Sequence, residues 1–160
     1  MEYILGIDIG TTSIKVGLLS TTGELKYIST QEYSLITQGK DIIESKIDIY
    51  LASCRAGIKE VLDKSQTSPD SILALGFSSQ GETLVCLNNK DEVLKNVIVW
   101  LDSRAIDEAE IIKKKIPIDK WYKTTGLPEP SPMWPLSKML WLKRNEPVLY
   151  DEVLIIKSIK

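Results

Sequence analysis

The first residues that could do chemistry lie near the start of the chain, between two apolar segments. They are Asp8, Gly10, Thr11, Thr12, Ser13 and Lys15. A glycine turn lets backbone N–H groups converge on a phosphate, because glycine has no Cβ. A neighbouring carboxylate such as Asp8 suits Mg²⁺, a hard cation that prefers oxygen ligands. A plain β-hairpin with polar turn residues explains this segment equally well, so both interpretations stay open.

Two further polar groups follow later in the chain. Gln80 and Glu82 come directly after the apolar segment 72–78, where a small polar ligand could bind, although an ordinary exposed loop fits as well. Trp100, Asp102 and Arg104 form the third group, and Asp102 and Arg104 could simply be a local ion pair. Trp100 is either a core residue or an aromatic wall for a ligand. Trp134 lies in a proline-rich segment and is a better candidate for a pocket.

Several kinds of chemistry are excluded by what the sequence lacks. The chain contains no histidine, so imidazole bases, histidine-ligated metals and histidine-based triads are absent from it. The glycine turn lacks the spacing of a P-loop and that of a dinucleotide-binding motif. Cys54 and Cys86 lie too far apart to form a metal-ligand pair.

Hydrophobic periodicity predicts a mixed α/β fold that begins with a three-stranded antiparallel meander over 4–9, 13–20 and 25–33. Residues 34–46 are predicted to be a polar loop. A helix is predicted over 47–63, with its apolar stripe on Ile47, Leu51, Cys54, Ile58 and Val61 or Leu62. Residues 72–78 are predicted to be a strand buried on both faces, which makes the sheet parallel from there on.

The second half of the chain is predicted to continue with alternating strands and helices. The predicted strands cover 83–87, 97–100 and 153–156, and the predicted helices cover 105–116, 120–125 and 136–144. The last predicted strand begins just before the chain ends, which favours a fragment of a longer protein, although a terminal edge strand fits as well.

Composition is that of an ordinary soluble protein of one domain. The chain has 160 residues, a net charge of −2 and an isoelectric point of about 5.3, which argues against nucleic acid or a membrane surface as partner. Neither a signal peptide nor a membrane span is recognisable, so a cytoplasmic location is expected. The oligomeric state stays open, a homodimer included.

Three motifs, taken together, resemble the N-terminal domain of the FGGY carbohydrate kinases, the family of xylulose, glycerol, gluconate and ribulose kinases. They are the segments 8–15, 78–82 and 99–104, in this order and at this spacing. The resemblance covers essentially the whole chain, 1–160, including the loop around Glu44 and the segment from Thr125 to Lys138. It implies a ribonuclease H-like, actin-like ATPase fold that is incomplete here.

The resemblance also implies roles for the three groups of residues. Asp8 would help to hold Mg²⁺ and the transferred phosphate, and Gly10, Thr11, Thr12, Ser13 and Lys15 would line the phosphate position. Gln80, Glu82, Trp100, Asp102 and Trp134, or its neighbour Met133, would contact the sugar or polyol. The implied reaction is phosphorylation of a substrate hydroxyl by ATP.

What the resemblance leaves outside the chain is equally informative. The family's catalytic aspartate and its adenosine-binding domain lie beyond residue 160, so the isolated chain is expected to be inactive. Glycerol kinases carry an arginine where this chain has Gly81, which argues against glycerol and leaves xylulose or a related ketopentose or polyol favoured. Xylulose kinases typically have Met-His at Gly81-Glu82, so the sugar stays open. A non-catalytic sugar sensor and a truncated, inactive product are the alternatives.

Overall fold

The computed structural model describes residues 2–153 and 155–158, which form two compact units. The first unit contains the chain up to Leu35 together with Lys46–Gly81. The second contains Ile36–Ser45 and the described residues from Glu82 to Ser158. No helix among the described residues is both long enough and apolar enough to cross a membrane.

The first unit is built on a four-stranded mixed sheet. Its strands are β1 (Tyr3–Ile9), β2 (Ser13–Ser20), β3 (Leu25–Glu32) and β6 (Ile72–Ser79), in the order β3-β2-β1-β6. The pairs β1–β2 and β2–β3 are antiparallel, and β1–β6 is parallel. The predicted meander and the change to parallel pairing are therefore confirmed.

The helix α1 (Ile47–Ser65) packs on β2 and β3. Its buried residues are Tyr50, Gly57 and Val61, whereas Leu51 is half exposed. The predicted stripe is therefore confirmed at Val61 and wrong at Leu51, and Tyr50 and Gly57 belong to the contact face although they were not predicted. Gly57 explains the difference, because a Cβ at this position would lie 2.7 Å from Cγ2 of Val16. The helix axis approaches the sheet closely at a glycine, which a hydrophobicity pattern does not detect.

The prediction that the strand over 72–78 is buried on both faces was wrong. Leu73, Leu75 and Phe77 are 57, 53 and 59% exposed. The strand β6 forms the edge of its sheet, and α1 covers β2 and β3 instead. Within the described residues, the apolar face of β6 is consequently open to solvent.

The second unit contains a separate sheet of five strands. They are β4 (Ile36–Gln38), β5 (Ile42–Ser45), β7 (Leu84–Leu87), β8 (Val97–Ile98) and β9 (Ile155–Ser158), in the order β4-β5-β8-β7-β9. All of these pairs are antiparallel. Two expectations are thereby corrected, because residues 34–46 contain a hairpin and the later strands do not extend one parallel sheet.

The helices of the second unit are α2 (Ile106–Lys115), α3 (Ile118–Thr125), α4 (Pro135–Asn145) and α5 (Pro147–Glu152). The first three match predicted helices, and α5 was not predicted. Gly126 ends α3 in the left-handed conformation with a φ of 72°, as expected for a glycine after a helix. A core of Leu84, Cys86, Ile98 and Leu142 holds the sheet and α4 together.

Candidate functional site

The glycine turn between β1 and β2 has a fixed backbone geometry. The Gly10 N–H donates to the Ser13 carbonyl at 3.0 Å, and the Tyr33 N–H donates to the Thr12 carbonyl at 3.0 Å. A Cβ on Gly10 would lie 2.9 Å from the Ser13 carbonyl oxygen, so no larger residue fits without a backbone shift. The turn is thus held in one shape by groups on both of its sides.

Hydroxyl groups border this turn. A polar cavity of about 400 Å³ is lined by Thr12, Ser13, Glu32, Tyr33 and Ser34. The neighbouring Thr11 is half-buried. Hydroxyl groups and turn amides can hydrogen-bond to phosphate oxygens. The predicted phosphate-binding residues from Gly10 to Ser13 are consecutive and belong to the same turn.

Asp8 lies in a row of polar side chains on one face of the first sheet. Its cross-strand partner is Lys15 on β2, and its partner on the other side is Ser78 on β6. Residues directly opposite each other in adjacent strands share a face, so the ammonium of Lys15 lies on the same side of the sheet as the carboxylate of Asp8.

The residues around Asp8 suit a magnesium ion that is bound mainly by water and by the phosphates of its substrate. The described residues contain no cluster of three or more histidine, cysteine or acidic side chains that could enclose a metal. Mg²⁺ commonly keeps several waters and binds one or two carboxylates together with the phosphates of its substrate. Asp8 is exposed and lies two residues before the glycine turn, which suits that arrangement.

Two tyrosines that the sequence did not single out connect the turn with Gln80. The Tyr33 hydroxyl donates to the Gly10 carbonyl, and the Tyr33 ring packs edge-on against Tyr50 with 5.3 Å between ring centroids. The Tyr50 hydroxyl accepts a hydrogen bond from Nε2 of Gln80 at 3.3 Å. Burial raises the pKa of Tyr33 well above its usual range, so its hydroxyl remains a donor.

Gln80 is held by its backbone and by one end of its side chain. Its N–H donates to the Ile9 carbonyl at 2.8 Å, and its Nε2 is bound to Tyr50. Its Oε1 is buried and finds no hydrogen-bond donor among the described residues. A buried acceptor without a donor is unfavourable, and a ligand hydroxyl would satisfy it.

Glu82 has an unusual backbone conformation. Its φ is 63°, in the left-handed region that non-glycine residues seldom adopt. Residues held in this way cost free energy and are concentrated at ligand-binding and active sites. The conformation supports the prediction that Glu82 has a functional role.

Asp102 is completely buried, and its carboxylate is fully occupied by protein groups. It accepts hydrogen bonds from the Ile43 N–H at 2.7 Å and from the N–H, Nε and Nη2 of Arg104. Arg104 also binds Glu44 at 2.7 Å and lies 5.0 Å from the ring centroid of Trp141. This arrangement favours the ion pair that the sequence left open, while direct contact of Asp102 with a sugar stays a prediction.

Trp100 and Trp134 are both half-buried side chains outside regular secondary structure. The Trp100 N–H donates to Oγ1 of Thr83 at 3.1 Å. Trp134 precedes the first residue of α4, and its Nε1 donates to the Glu129 carbonyl at 2.9 Å. Both indoles belong to the second unit, as Glu82 does. Each could present an apolar face to the carbon atoms of a sugar.

Comparison with models of protein families shows to which family the chain belongs. Residues 3–160 match the model of the N-terminal domain of the FGGY family of carbohydrate kinases. The chain belongs to this family. The resemblance read from the three sequence motifs is therefore confirmed.

Individual FGGY relatives match over nearly the whole chain. A probable L-xylulose kinase of Haemophilus influenzae is 29% identical over 156 residues, which is 96% of this chain and 31% of that protein. A gluconokinase of Bacillus licheniformis is 34% identical over 147 residues, 91% of this chain and 28% of that protein. The chain thus spans about a third of the length of these relatives.

Solved structures confirm the FGGY fold. The structure of a ligand-bound xylulose kinase from Lactobacillus acidophilus has a TM-score of 0.89 to this chain and is 28% identical to it. The match covers 98% of this chain and 31% of that one. The expectation of an actin-like ATPase fold is thereby confirmed.

Proposed function

We propose that this chain is the substrate- and phosphate-binding part of an ATP-dependent sugar or polyol kinase. The observation that carries the proposal is the match to the FGGY N-terminal domain over residues 3–160. The relatives it resembles are named for xylulose and gluconate, so a ketopentose or a sugar acid is the substrate class we favour. Xylulose or a related ketopentose is our first choice.

The glycine turn is proposed to hold the phosphate that is transferred. Phosphoryl transfer requires mainly positioning and stabilisation of developing negative charge. The turn amides and the hydroxyls of Thr11, Thr12 and Ser13 would supply hydrogen bonds to phosphate oxygens. Lys15 would add positive charge on the face of the sheet that carries Asp8.

Asp8 is proposed to hold Mg²⁺ together with water and nucleotide phosphate oxygens. The ion, when bound, would neutralise charge on the phosphates. Adenosine and the base that accepts the proton of the substrate hydroxyl would be bound or supplied by parts of the enzyme outside these residues. The isolated 160-residue chain should therefore bind ligands weakly and turn nothing over.

The sugar is proposed to contact the second and third polar groups. The buried Oε1 of Gln80 would accept a hydrogen bond from one hydroxyl, and the carboxylate of Glu82 would accept another. The indoles of Trp100 and Trp134 would cover carbon atoms. We also propose a cytoplasmic location, because Cys54 and Cys86 are free thiols, as is usual in a reducing compartment.

A coupled assay of ADP release by the full-length enzyme tests the proposal. The panel should contain D- and L-xylulose, ribulose, gluconate and glycerol, and we expect turnover of at least one ketopentose or sugar acid. Asp8→Ala should abolish turnover while the protein stays folded. Sugar binding in calorimetry without ADP release from any panel member would refute the kinase proposal and favour a sugar-sensing protein.

A further inference from the structure

Lys138, on α4, is a fully buried lysine whose ammonium is bound by main-chain carbonyls. It has 0% exposure, and its Nζ lies 3.0 Å from the Val99 oxygen, 3.1 Å from the Trp100 oxygen and 3.0 Å from the Met133 oxygen. An ammonium has three N–H donors, so these three acceptors satisfy it completely. The site is therefore shaped for a protonated lysine.

Such a site is costly for the protein. Lysine is almost never fully buried without a partner, because removing its charge from water is unfavourable. Burial accordingly lowers the pKa of Lys138 to about 8. An apolar side chain in the same space would often serve stability as well or better. The lysine must therefore contribute something that packing alone does not.

What Lys138 contributes is a connection between two separate segments. One segment contains Val99 and Trp100, 39 and 38 residues before Lys138, and the other contains Met133, five residues before it. Met133 is followed directly by Trp134. A single ammonium thus fixes the distance between the backbones of the two segments that carry the proposed sugar-facing indoles.

The Trp100 peptide is also held from its other side. Its N–H donates to Oγ1 of Thr83, whose side chain is fully buried, while its carbonyl accepts from Lys138. Both hydrogen-bonding groups of this residue's backbone are consequently fixed. The Trp100 side chain is therefore attached to a backbone that has little freedom to rotate.

Two of the charged groups near Lys138 are paired with each other. Asp102, Arg104 and Glu82 are the charged groups that influence its ionisation. Asp102 is bound to Arg104, which also binds Glu44. The three carbonyls therefore supply the direct hydrogen bonds to the ammonium, and its position is determined by the backbone.

We propose that Lys138 is a positioning residue that sets the width of the sugar site by fixing the backbone of Trp100 relative to that of Met133 and Trp134. Thr83 also fixes the Trp100 backbone, because its Oγ1 accepts the hydrogen bond of the Trp100 N–H. Lys138 itself need not touch the sugar. The inference rests on the proposed function, because it assumes that these two segments contact the substrate.

The test uses the full-length kinase with Lys138→Met, which keeps the length and apolar stem of the side chain and removes the three donors. Lys143→Met is the matched control, because Lys143 is an exposed lysine on the same helix. We expect the KM for the accepted sugar to rise about tenfold or more, as for loss of roughly 1.4 kcal/mol of binding free energy. The KM for ATP should change less than twofold, and the control should match wild type.

Thr83→Val provides a second variant in case Lys138→Met does not fold. It keeps the shape of the side chain, removes the acceptor of the Trp100 N–H, and should raise the KM for sugar selectively. Hydrogen exchange should become faster over 99–104 and 131–134 in Lys138→Met, and over 99–104 in Thr83→Val. An unchanged sugar KM in either folded variant, or equal changes in both KM values, would overturn the role of Lys138. A wild-type enzyme without activity on any sugar would instead refute the proposed function.

Discussion

The hydroxyl of Tyr33 donates a hydrogen bond to the carbonyl oxygen of Gly10, 23 residues earlier in the chain. Through its edge-on contact with Tyr50, whose hydroxyl is bound to Gln80, Tyr33 joins the glycine turn to a proposed sugar contact within the first unit. The shape of the turn is thus supported by aromatic side chains from outside the motif. A change at the turn and a change at Gln80 can therefore influence each other.

Tyr33→Phe removes this hydrogen bond and keeps the ring. We expect about 1 kcal/mol lower stability, the usual net contribution of one hydrogen bond. In the full-length enzyme, kcat/KM for ATP should fall about tenfold, because the turn amides lose part of their fixed orientation. Steady-state kinetics and thermal unfolding measure the two effects.

Tyr27→Phe is the matched control for this prediction. The Tyr27 hydroxyl donates to Glu60 at 3.2 Å, away from the glycine turn. This variant should keep its kinetics for ATP, since the turn is unaffected. Equal kinetic losses in both variants would contradict the role assigned to Tyr33.

The features that could be predicted from the sequence are those that depend on local patterns of residues. The meander follows from β-branched segments and a glycine turn, and the glycine after α3 was correctly assigned to the end of a helix. Tyr33 and Tyr50 were missed, because their roles depend on an approach between residues far apart in the chain. Their only advance signal was an aromatic residue at the end of a polar strand and another on an amphipathic helix.

Burial was harder to predict than secondary structure. The apolar segment of β6 looks like a central strand, yet it lies at the edge of the described sheet. Lys138 looks like a surface lysine on a helix, because sequence reveals nothing of the carbonyls that surround it. In both cases burial depends on which neighbours a residue meets, and tertiary contacts alone decide this.

Replacing Glu82 should separate stability from activity. Its left-handed φ of 63° costs roughly 1 kcal/mol in a residue with a Cβ, so Glu82→Gly should leave stability unchanged or raise it slightly. Glu82→Gln keeps the strain and removes the charge. Both variants should lose about tenfold or more in kcat/KM for the sugar, as expected when the hydrogen bond that the charged carboxylate accepts from a sugar hydroxyl is lost or weakened.

Chemical denaturation and sugar kinetics together test this prediction. A Glu82→Gly protein that is clearly less stable than wild type would show that the carboxylate serves the fold. Full activity in Glu82→Gln would show that its charge is not needed for the sugar.

Gly57→Ala should destabilise the first unit despite the better helix propensity of alanine. The propensity gain is about 1 kcal/mol, while the new methyl group would meet Cγ2 of Val16 at 2.7 Å, and overpacking costs typically 1–3 kcal/mol. We expect a net loss of about 1 kcal/mol in urea denaturation. Adding Val16→Ala should recover part of it by making room, so a double mutant with purely additive losses would argue against a steric cause.

The lowered pKa of Lys138 makes a prediction about pH. In the folded protein it titrates at about 8, whereas its ordinary value is 10.5. Between these two values the unfolded chain binds more protons than the folded one, so this group makes stability rise with pH. Below about pH 8 the lysine is protonated in both states, and the cost of burying its charge is fully present. We therefore expect the stability of wild type relative to Lys138→Met to increase from pH 8 to pH 10. Denaturation curves of both proteins across this range measure the difference, and a constant difference would mean that the carbonyls keep Lys138 protonated throughout.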